Sequence, residues 1–237
     1  MAQKPLALKD FMDFNEAKRI MELNRRFYDL LADDFSRRED DFKSLAGYFQ
    51  DDDKVLDLGC GNGRFYNLIN HPGRTGQYFG IDNSSRLIAA AKERYPPGQF
   101  VVTDGLSLPF TADFFDKVFC PTVFYHLPGY EMRREFLREV WRVLKPGGFL
   151  ILCVRVSPYK KYWRLLLKYA WLKISGRSKL DWGDVYEPWG GQGVRYFHHF
   201  SRRELRNILE EVDFKIESFN LLVGQNDYSN LIVAAKK

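Results

Sequence analysis

Three glycines, Gly59, Gly61 and Gly63, stand at alternate positions directly after a short apolar run. The run is Val55, Leu56 and Leu58, interrupted by Asp57, and it reads as a buried strand. Phe65 to Ile69 then opens a helical pattern. A strand that passes through glycines into a helix is the ligand-binding turn of an α/β sheet. Glycine serves there because a Cβ would keep the backbone away from a ligand. The competing reading is a tight turn with no ligand.

Three ligands compete for such a turn. A triphosphate loop needs G-x-x-x-x-G-K-[ST], and no Lys-Ser/Thr pair follows these glycines. A dinucleotide loop needs G-x-G-x-x-G. Counting from Gly59 the sixth residue is Arg64, and from Gly61 it is Tyr66, so both registers fail. What remains is Asp-x-Gly-x-Gly-x-Gly, which resembles the first motif of class I S-adenosylmethionine (SAM) methyltransferases. SAM carries an amino group and a sulfonium rather than a pyrophosphate, so an acid at Asp57 fits where it would repel phosphate. The resemblance implies a Rossmann-like α/β sheet of seven strands with the last one antiparallel and helices on both faces. It also implies cofactor contacts from Tyr28, Asp57, Gly59, Cys60, Gly61, Gly63, Asp82, Asn83, Asp104, Gly105, Leu106 and Pro121.

The chain downstream supplies further acids at strand ends. Gln77 to Asp82 reads as a second strand, and Asp82 lies 19 residues past Gly63. A carboxylate there can accept from both ribose hydroxyls. Asp82 as a helix cap is the weaker alternative, because Asn83, Ser84 and Ser85 already supply caps. Leu87 to Tyr95 reads as a helix stopped by Pro96-Pro97-Gly98. Phe100 to Asp104 is a third strand ending in an acid; the family places this acid at the adenine amino group, and a plain turn aspartate is the alternative. Phe115 to Cys120 is a fourth strand leading into Pro121-Thr-Val-Phe-Tyr-His-Leu127, at the point of the sheet where a ligand crevice lies. That puts Tyr125 and His126 near the methyl group or its acceptor, unless they only pack the loop. Glu131 to Leu144 is an amphipathic helix closed by Lys145-Pro-Gly-Gly148, and Phe149 to Val154 a fifth strand.

Either side of this core the pattern changes. Phe14 to Leu31 has apolar residues at helical spacing: Phe14, Ile20, Leu23, Phe27, Leu30 and Leu31. Tyr28 in it either covers the cofactor or belongs to a plain packed helix. Residues 158–193 interrupt the sheet with cations (Lys160, Lys161, Arg164, Lys168, Lys173, Arg177, Lys179) among aromatics. Such a segment can contact RNA phosphates, lie on a membrane surface over residues 158–180, or form a lid with solvated charges. Ser201-Arg-Arg-Glu204 is a capping box opening a helix to Glu211. Phe214 to Val223, a turn at 224–227 and Asn230 to Ala235 read as a closing hairpin. The expected organisation is one domain over 1–237: a helical cap (1–50), a SAM-binding core (51–157), an insert or lid (158–195) and a C-terminal helix and hairpin (196–237).

With 237 residues, 45% of them hydrophobic and 28% charged, the chain has the composition of a globular protein with one good-sized core. Its start lacks the apolar run of a signal peptide, and no run approaches a membrane span. Cys60, Cys120 and Cys153 are widely spaced, which suits packed thiols of a reducing cytosol rather than a zinc site. A net charge of +5 mildly favours an anionic partner.

Tyr186-Glu-Pro-Trp-Gly-Gly-Gln-Gly-Val-Arg-Tyr-Phe-His-His-Phe200 resembles the Pro-Trp … Arg-Tyr-Tyr-His-x-Phe segment of the tRNA wobble-uridine carboxymethyl methyltransferases. Tyr28 to Arg38, with Phe35-Ser36, resembles the same family's N-terminal stretch. The chain departs from the family at Tyr125-His126, where His-His is frequent, and at Arg37-Arg38, where Thr-Arg is. The resemblance implies a cytoplasmic enzyme that esterifies the carboxymethyl group of uridine 34 in tRNA, with a small adaptor subunit as a possible partner. A carboxylate acceptor is already anionic and needs a cation rather than a base, and Arg195 fits that need. Arg195, His126, Tyr125 and His198 are the candidate catalytic residues; His198 and His199 alternate, so at most one faces the site. The alternatives are a methyltransferase of a small molecule or lipid quinone, and a non-catalytic RNA-binding subunit with this fold. The intact Asp57, glycines and Asp82 speak against the last.

Overall fold

The computed structural model describes residues 12–36, 43–70, 75–156, 159–189, 191–223 and 229–237. The expected Arg37-Arg38 departure and the expected turn at 224–227 lie outside these residues, as do the side chains of Phe35, Ser36, Lys160 and Lys161.

Strands β1 (Lys54–Leu58), β2 (Gln77–Asp82), β3 (Gln99–Val102), β4 (Phe115–Pro121), β5 (Leu144–Val156), β8 (Lys215–Val223) and β9 (Ser229–Lys236) form one sheet in the order β3-β2-β1-β4-β5-β9-β8. The first five pair in parallel, and β9 runs antiparallel between β5 and β8. The sheet therefore has the strand count and the antiparallel last strand that the glycine motif implied. Residues alternate between two buried faces. Leu56, Leu58, Val118, Leu150, Leu152 and Val233 face one core, while Val55, Tyr78, Phe119, Ile151 and Ile232 face the other. Each fully buried aliphatic of this kind contributes roughly 1.5–3 kcal/mol by leaving water.

Helices α5 (Tyr130–Val143) and α7 (Arg202–Glu211) cover the first face, and α3 (Tyr66–Ile69) and α4 (Ser85–Arg94) the second. The starts of α4 and α7 follow the capping signals. Ser84 Oγ accepts from Leu87 N–H at 3.1 Å, and Ser201 Oγ from Glu204 N–H at 3.1 Å. Helix α5 ends at Val143, just before Lys145 to Gly148, and these residues already belong to β5: Leu144 pairs with Phe115 and the register then shifts by a bulge.

Three elements lie outside this layout. Helix α1 (Phe14–Leu30) precedes the short α2 (Ala32–Ser36) and buries Ala17, Ile20, Asn24 and Phe27. Leu23 and Leu30, expected on the buried stripe, are exposed. Asn24 is turned inward in place of Leu23 because its amide bridges the Tyr196 backbone, accepting from N–H at 2.8 Å and donating to C=O at 3.2 Å. After β5 comes α6 (Tyr159–Ile174), followed by a separate antiparallel ribbon of β6 (Asp184–Pro188) and β7 (Val194–His198). Strand β7 runs across the expected boundary at 195.

Candidate active site

The carboxyl ends of β1, β2 and β4 open into a cleft of about 270 Å³, roofed by α1 and walled on its far side by Trp189 and Arg195 of the ribbon. It lies where an open α/β sheet reverses its strand order, the usual place for a ligand. Of the residues expected from the sequence, Tyr28, Gly59, Gly61, Asp82, Asn83, Asp104, Gly105, Tyr125, His126 and Arg195 all line it. Asp57, Cys60, Gly63, Leu106, Pro121 and His198 do not.

The three glycines share positive φ but have different reasons for being glycine. A Cβ at Gly59 would sit 2.0 Å from Val123 Cγ2, and one at Gly63 would press on Phe100 and Tyr95 at 3.0 Å. Those two positions serve packing. At Gly61 (φ +56°) a Cβ would meet no atom within 4 Å, although the residue lines the cleft. Gly61 is therefore the place where bare backbone faces the ligand space, and a side chain there would intrude on it.

Asp82 holds this loop in place. Its Oδ2 accepts from Gly61 N–H at 3.0 Å and its Oδ1 from Ser84 N–H at 2.8 Å. Each oxygen keeps lone-pair capacity for a hydroxyl donor. Burial pushes the carboxyl up to about 6, against the pull of those amides. Asp57 lies beneath the loop, turned to the other core face. Its Oδ2 accepts from Tyr78 O–H at 2.7 Å, and its Oδ1 has no hydrogen-bond partner among the described residues. Burial raises Asp57 to about 7 despite the Tyr78 bond. Asp57 thus shapes the loop from below and does not reach the cleft. Cys60 is likewise buried, its Sγ 3.6 Å from Gly61 O.

At the next strand end Thr103, Asp104 and Gly105 line the cleft, with Asp104 Oδ1 accepting from Leu106 N–H at 3.0 Å. Leu106 turns toward the core and packs there. Pro121 completes β4 by pairing with Cys153, and the following Thr122 and Val123 form the wall instead. Thr122 has φ +61°, costly for a β-branched residue, and backbone strain of this kind concentrates at ligand sites.

The far end gathers aromatic rings and cations. His126 Nδ1 lies 2.9 Å from Tyr196 C=O and must carry the proton it donates there. That leaves Nε2 bare to accept from Tyr28 O–H at 2.7 Å. Burial, reinforced by the charge of Arg195, lowers His126 to about 3, so the ring is neutral. Burial likewise pushes the Tyr125 hydroxyl well up. Arg195 donates through Nη1 to the Tyr28 hydroxyl oxygen at 3.4 Å and through Nη2 to Glu187 Oε2 at 3.1 Å. Its guanidinium sits 3.9 Å from the centre of the Trp189 ring, and its buried Nε has no hydrogen-bond partner among the described residues. Arg155, a second cation of the cleft wall, reaches the same Glu187 oxygen at 3.6 Å.

Side chains alternate along β7, so Arg195 and Phe197 face this end while Tyr196 and His198 face away. His198 sits between Asp184 (Nδ1, 2.6 Å) and Glu204 (Nε2, 2.7 Å), and Asp184 also takes Arg133 Nη2 at 3.1 Å and Tyr196 O–H at 2.6 Å. This buried cluster ties the ribbon to α5 and α7. Burial opposes ionisation of Asp184, but the His198 bond and the Arg133 charge hold its carboxyl below the usual range.

Sequence reasoning missed Asn24, Thr122, Val123, Arg155 and Trp189. Trp189 belongs to the Pro-Trp pair singled out in the sequence, and Thr122 and Val123 to the run after the fourth strand, but none was given a role; Arg155 stands in a plain strand pattern and gave no signal. The residues present fit SAM on two observations: the open backbone face at Gly61, and a carboxylate with spare acceptor capacity beside it at Asp82.

A family model described as "Methyltransferase domain" matches residues 56–152. The chain is 30% identical over 181 residues to the tRNA (carboxymethyluridine(34)-5-O)-methyltransferase of Arabidopsis thaliana, covering 74% of this chain and 42% of that protein, so it spans under half of that relative. It is 30% identical over 178 residues to the demethylmenaquinone methyltransferase of Staphylococcus aureus (strain MRSA252), covering 70% of each. Among solved structures, a SAM-dependent methyltransferase from Methanosarcina mazei superposes with a TM-score of 0.71 at 27% identity, covering 84% of this chain and 99% of that one. S-adenosylmethionine is the cofactor of this family and fold. The chain belongs to the class I SAM-dependent methyltransferases.

Proposed function

We propose that this chain methylates a carboxylate, the 5-carboxymethyl group of the wobble uridine in tRNA. The observation that carries this reading is the far end of the cleft, where Arg155 and Arg195 converge on a single acid, Glu187. Two guanidiniums line this end and bring cationic groups beside the acceptor space. A base is missing from the six side chains gathered there: Tyr28, Tyr125, His126, Arg155, Trp189 and Arg195. The one imidazole among them is engaged at both nitrogens. Such a site suits an acceptor that is anionic before it arrives.

SAM supplies an electrophilic methyl group when bound. Gly61 offers bare backbone to the cofactor, Asp82 accepts from the ribose hydroxyls, and Asp104 with its neighbours takes the adenine end. Arg195 grips the acceptor carboxylate through its guanidinium. Tyr28 and α1 exclude water from above. An acceptor carboxylate held by Arg195 would stand within reach of the methyl group that bound SAM supplies. No proton moves, so alignment carries the catalysis. The plant relative's name supports this substrate, and the family resemblance brings a small adaptor subunit and a cytoplasmic location into the same proposal.

Nucleoside mass spectrometry of total tRNA from a deletion strain tests it. The expected result is accumulation of free 5-carboxymethyluridine, or a close acid, at position 34. A second reading, methylation of a lipid quinone, has its own support. The exposed face of α6 carries Trp163, Leu167, Trp171 and Ile174, and the bacterial relative is named for a quinone substrate. An unchanged wobble profile together with a missing methylated quinone would favour that alternative.

A further inference from the structure

Among the described residues, strand β7 pairs with β6 along one edge only, so the peptide groups on its other edge need partners from elsewhere. At Tyr196 that partner is Asn24 of α1, a buried side chain that also lines the cleft. Its Oδ1 accepts from Tyr196 N–H at 2.8 Å, and its Nδ2 donates to Tyr196 C=O at 3.2 Å. The amide cannot be turned round, because the Tyr196 N–H is a donor only. Three atoms lie within reach of its NH2 end: Tyr196 O at 3.2 Å, His126 O at 3.4 Å and His126 Nδ1 at 3.5 Å. An NH2 group has only two hydrogens, and the two carbonyls are nearer. The ring nitrogen therefore turns to the same Tyr196 C=O, 2.9 Å away, which attracts it only when Nδ1 carries a proton.

We propose that Asn24 is a positioning residue of the acceptor end: by holding the Tyr196 peptide groups against α1, it keeps His126 in the tautomer protonated at Nδ1. The consequence of that tautomer reaches Arg195. Nε2 is bare and accepts from the Tyr28 hydroxyl at 2.7 Å. The hydroxyl hydrogen is thus directed at the ring, and the oxygen accepts from Arg195 Nη1 at 3.4 Å. With the proton on Nε2 instead, the hydroxyl hydrogen would have to leave the ring for the side on which Arg195 donates, and donor would face donor. Asn24 acts on the acceptor only through His126, Tyr28 and Arg195. The inference rests on the carboxylate reading above only in giving Arg195 to the acceptor.

The test is nitrogen NMR of the full chain with S-adenosylhomocysteine bound and its histidines labelled with nitrogen-15. The chain has four histidines, and His126→Gln identifies the signals of His126. Wild type is expected to show His126 protonated at Nδ1 alone; protonation at Nε2 overturns the proposal without any variant. Asn24→Ala should let the ring exchange between its two tautomers, with S-adenosylhomocysteine affinity unchanged by calorimetry. On tRNA carrying 5-carboxymethyluridine the same variant should raise the acceptor KM and lower kcat, so that kcat/KM falls about tenfold while the KM for SAM stays put. If Asn24→Ala does not fold, Asn24→Ser, which leaves room for a water at the Tyr196 N–H, takes its place. A merely structural role would lower kcat through the folded fraction, leave both KM values unmoved and keep His126 in one tautomer. That pattern overturns the role of Asn24, as does tautomer exchange with no change in acceptor KM. A wild type that does not methylate this tRNA overturns the carboxylate reading alone, and the nitrogen signals still decide what Asn24 does.

Discussion

Gly61 and Asp82 meet at one hydrogen bond, and their substitutions should fail in different ways. In Gly61→Val a branched side chain enters the only stretch of the glycine loop with open space before it, at a φ that β-branched residues avoid. SAM binding should be abolished by calorimetry, and normal affinity would contradict the site. Asp82→Ala should weaken SAM and S-adenosylhomocysteine alike by at least about tenfold, since each charge-assisted bond is worth roughly 1.5–3 kcal/mol and both ligands carry the same ribose. Much of this end of the site was legible because its residues are neighbours in sequence at strand ends. The reason for each glycine was not, since Val123, Phe100 and Tyr95 reach the loop only through the tertiary fold. The acceptor end was half legible. Arg195 stood in a motif, whereas Arg155 joins it through a shared partner 32 residues away, Glu187, that no local pattern connects to it.

Helix α6 divides its surface into three. Leu165, Leu166 and Tyr169 pack on the core. Arg164 and Lys168 are exposed, and beside them runs a stripe of Trp163, Leu167, Trp171 and Ile174, from 46% to 75% exposed. Periodicity alone could not separate that outer stripe from the buried one, because both are apolar at helical spacing. If the cations meet tRNA phosphates, Arg164→Ala with Lys168→Ala should weaken tRNA binding and flatten its salt dependence by up to about one unit of slope per lost contact. SAM affinity should stay the same. Loss of binding to anionic vesicles with tRNA affinity untouched would instead assign the face to a membrane. The ribbon of β6 and β7 shows the reverse case. Its motif was read, but the direction of its side chains follows from pairing, and pairing puts His198 into the Asp184 cluster rather than the cleft.

Over the whole molecule, buried titratable groups oppose one another. Asp57 (about 7) and Asp82 (about 6) are raised, chiefly by burial. The stability they contribute is full below the ordinary carboxylate range and is lost as pH rises through 6 and 7. His126 (about 3) and His199 (about 4) are lowered, again chiefly by burial, so their contribution is full above 6.5 and is lost as pH falls. Between pH 5 and 6.5 the two sets have opposite slopes. Removing one member should expose the other: relative to wild type, Asp57→Asn should gain stability as pH rises through this window, and His126→Gln should lose it. Each slope is up to about 1.4 kcal/mol per pH unit, readable from chemical denaturation at several pH values. Slopes of the same sign would contradict the assignment. The roof of the cleft carries a consequence of another kind. Tyr28 and Asp29 are adjacent on α1, yet Tyr28 bonds His126 at the acceptor end, while Asp29 accepts from Ser84 Oγ at 2.5 Å beside Asp82 at the cofactor end. One rigid turn of helix thus rests on both ends. Whatever factor a bound cofactor adds to acceptor affinity by settling that turn, the acceptor must return to the cofactor in equal measure, because linkage between two binding equilibria is reciprocal.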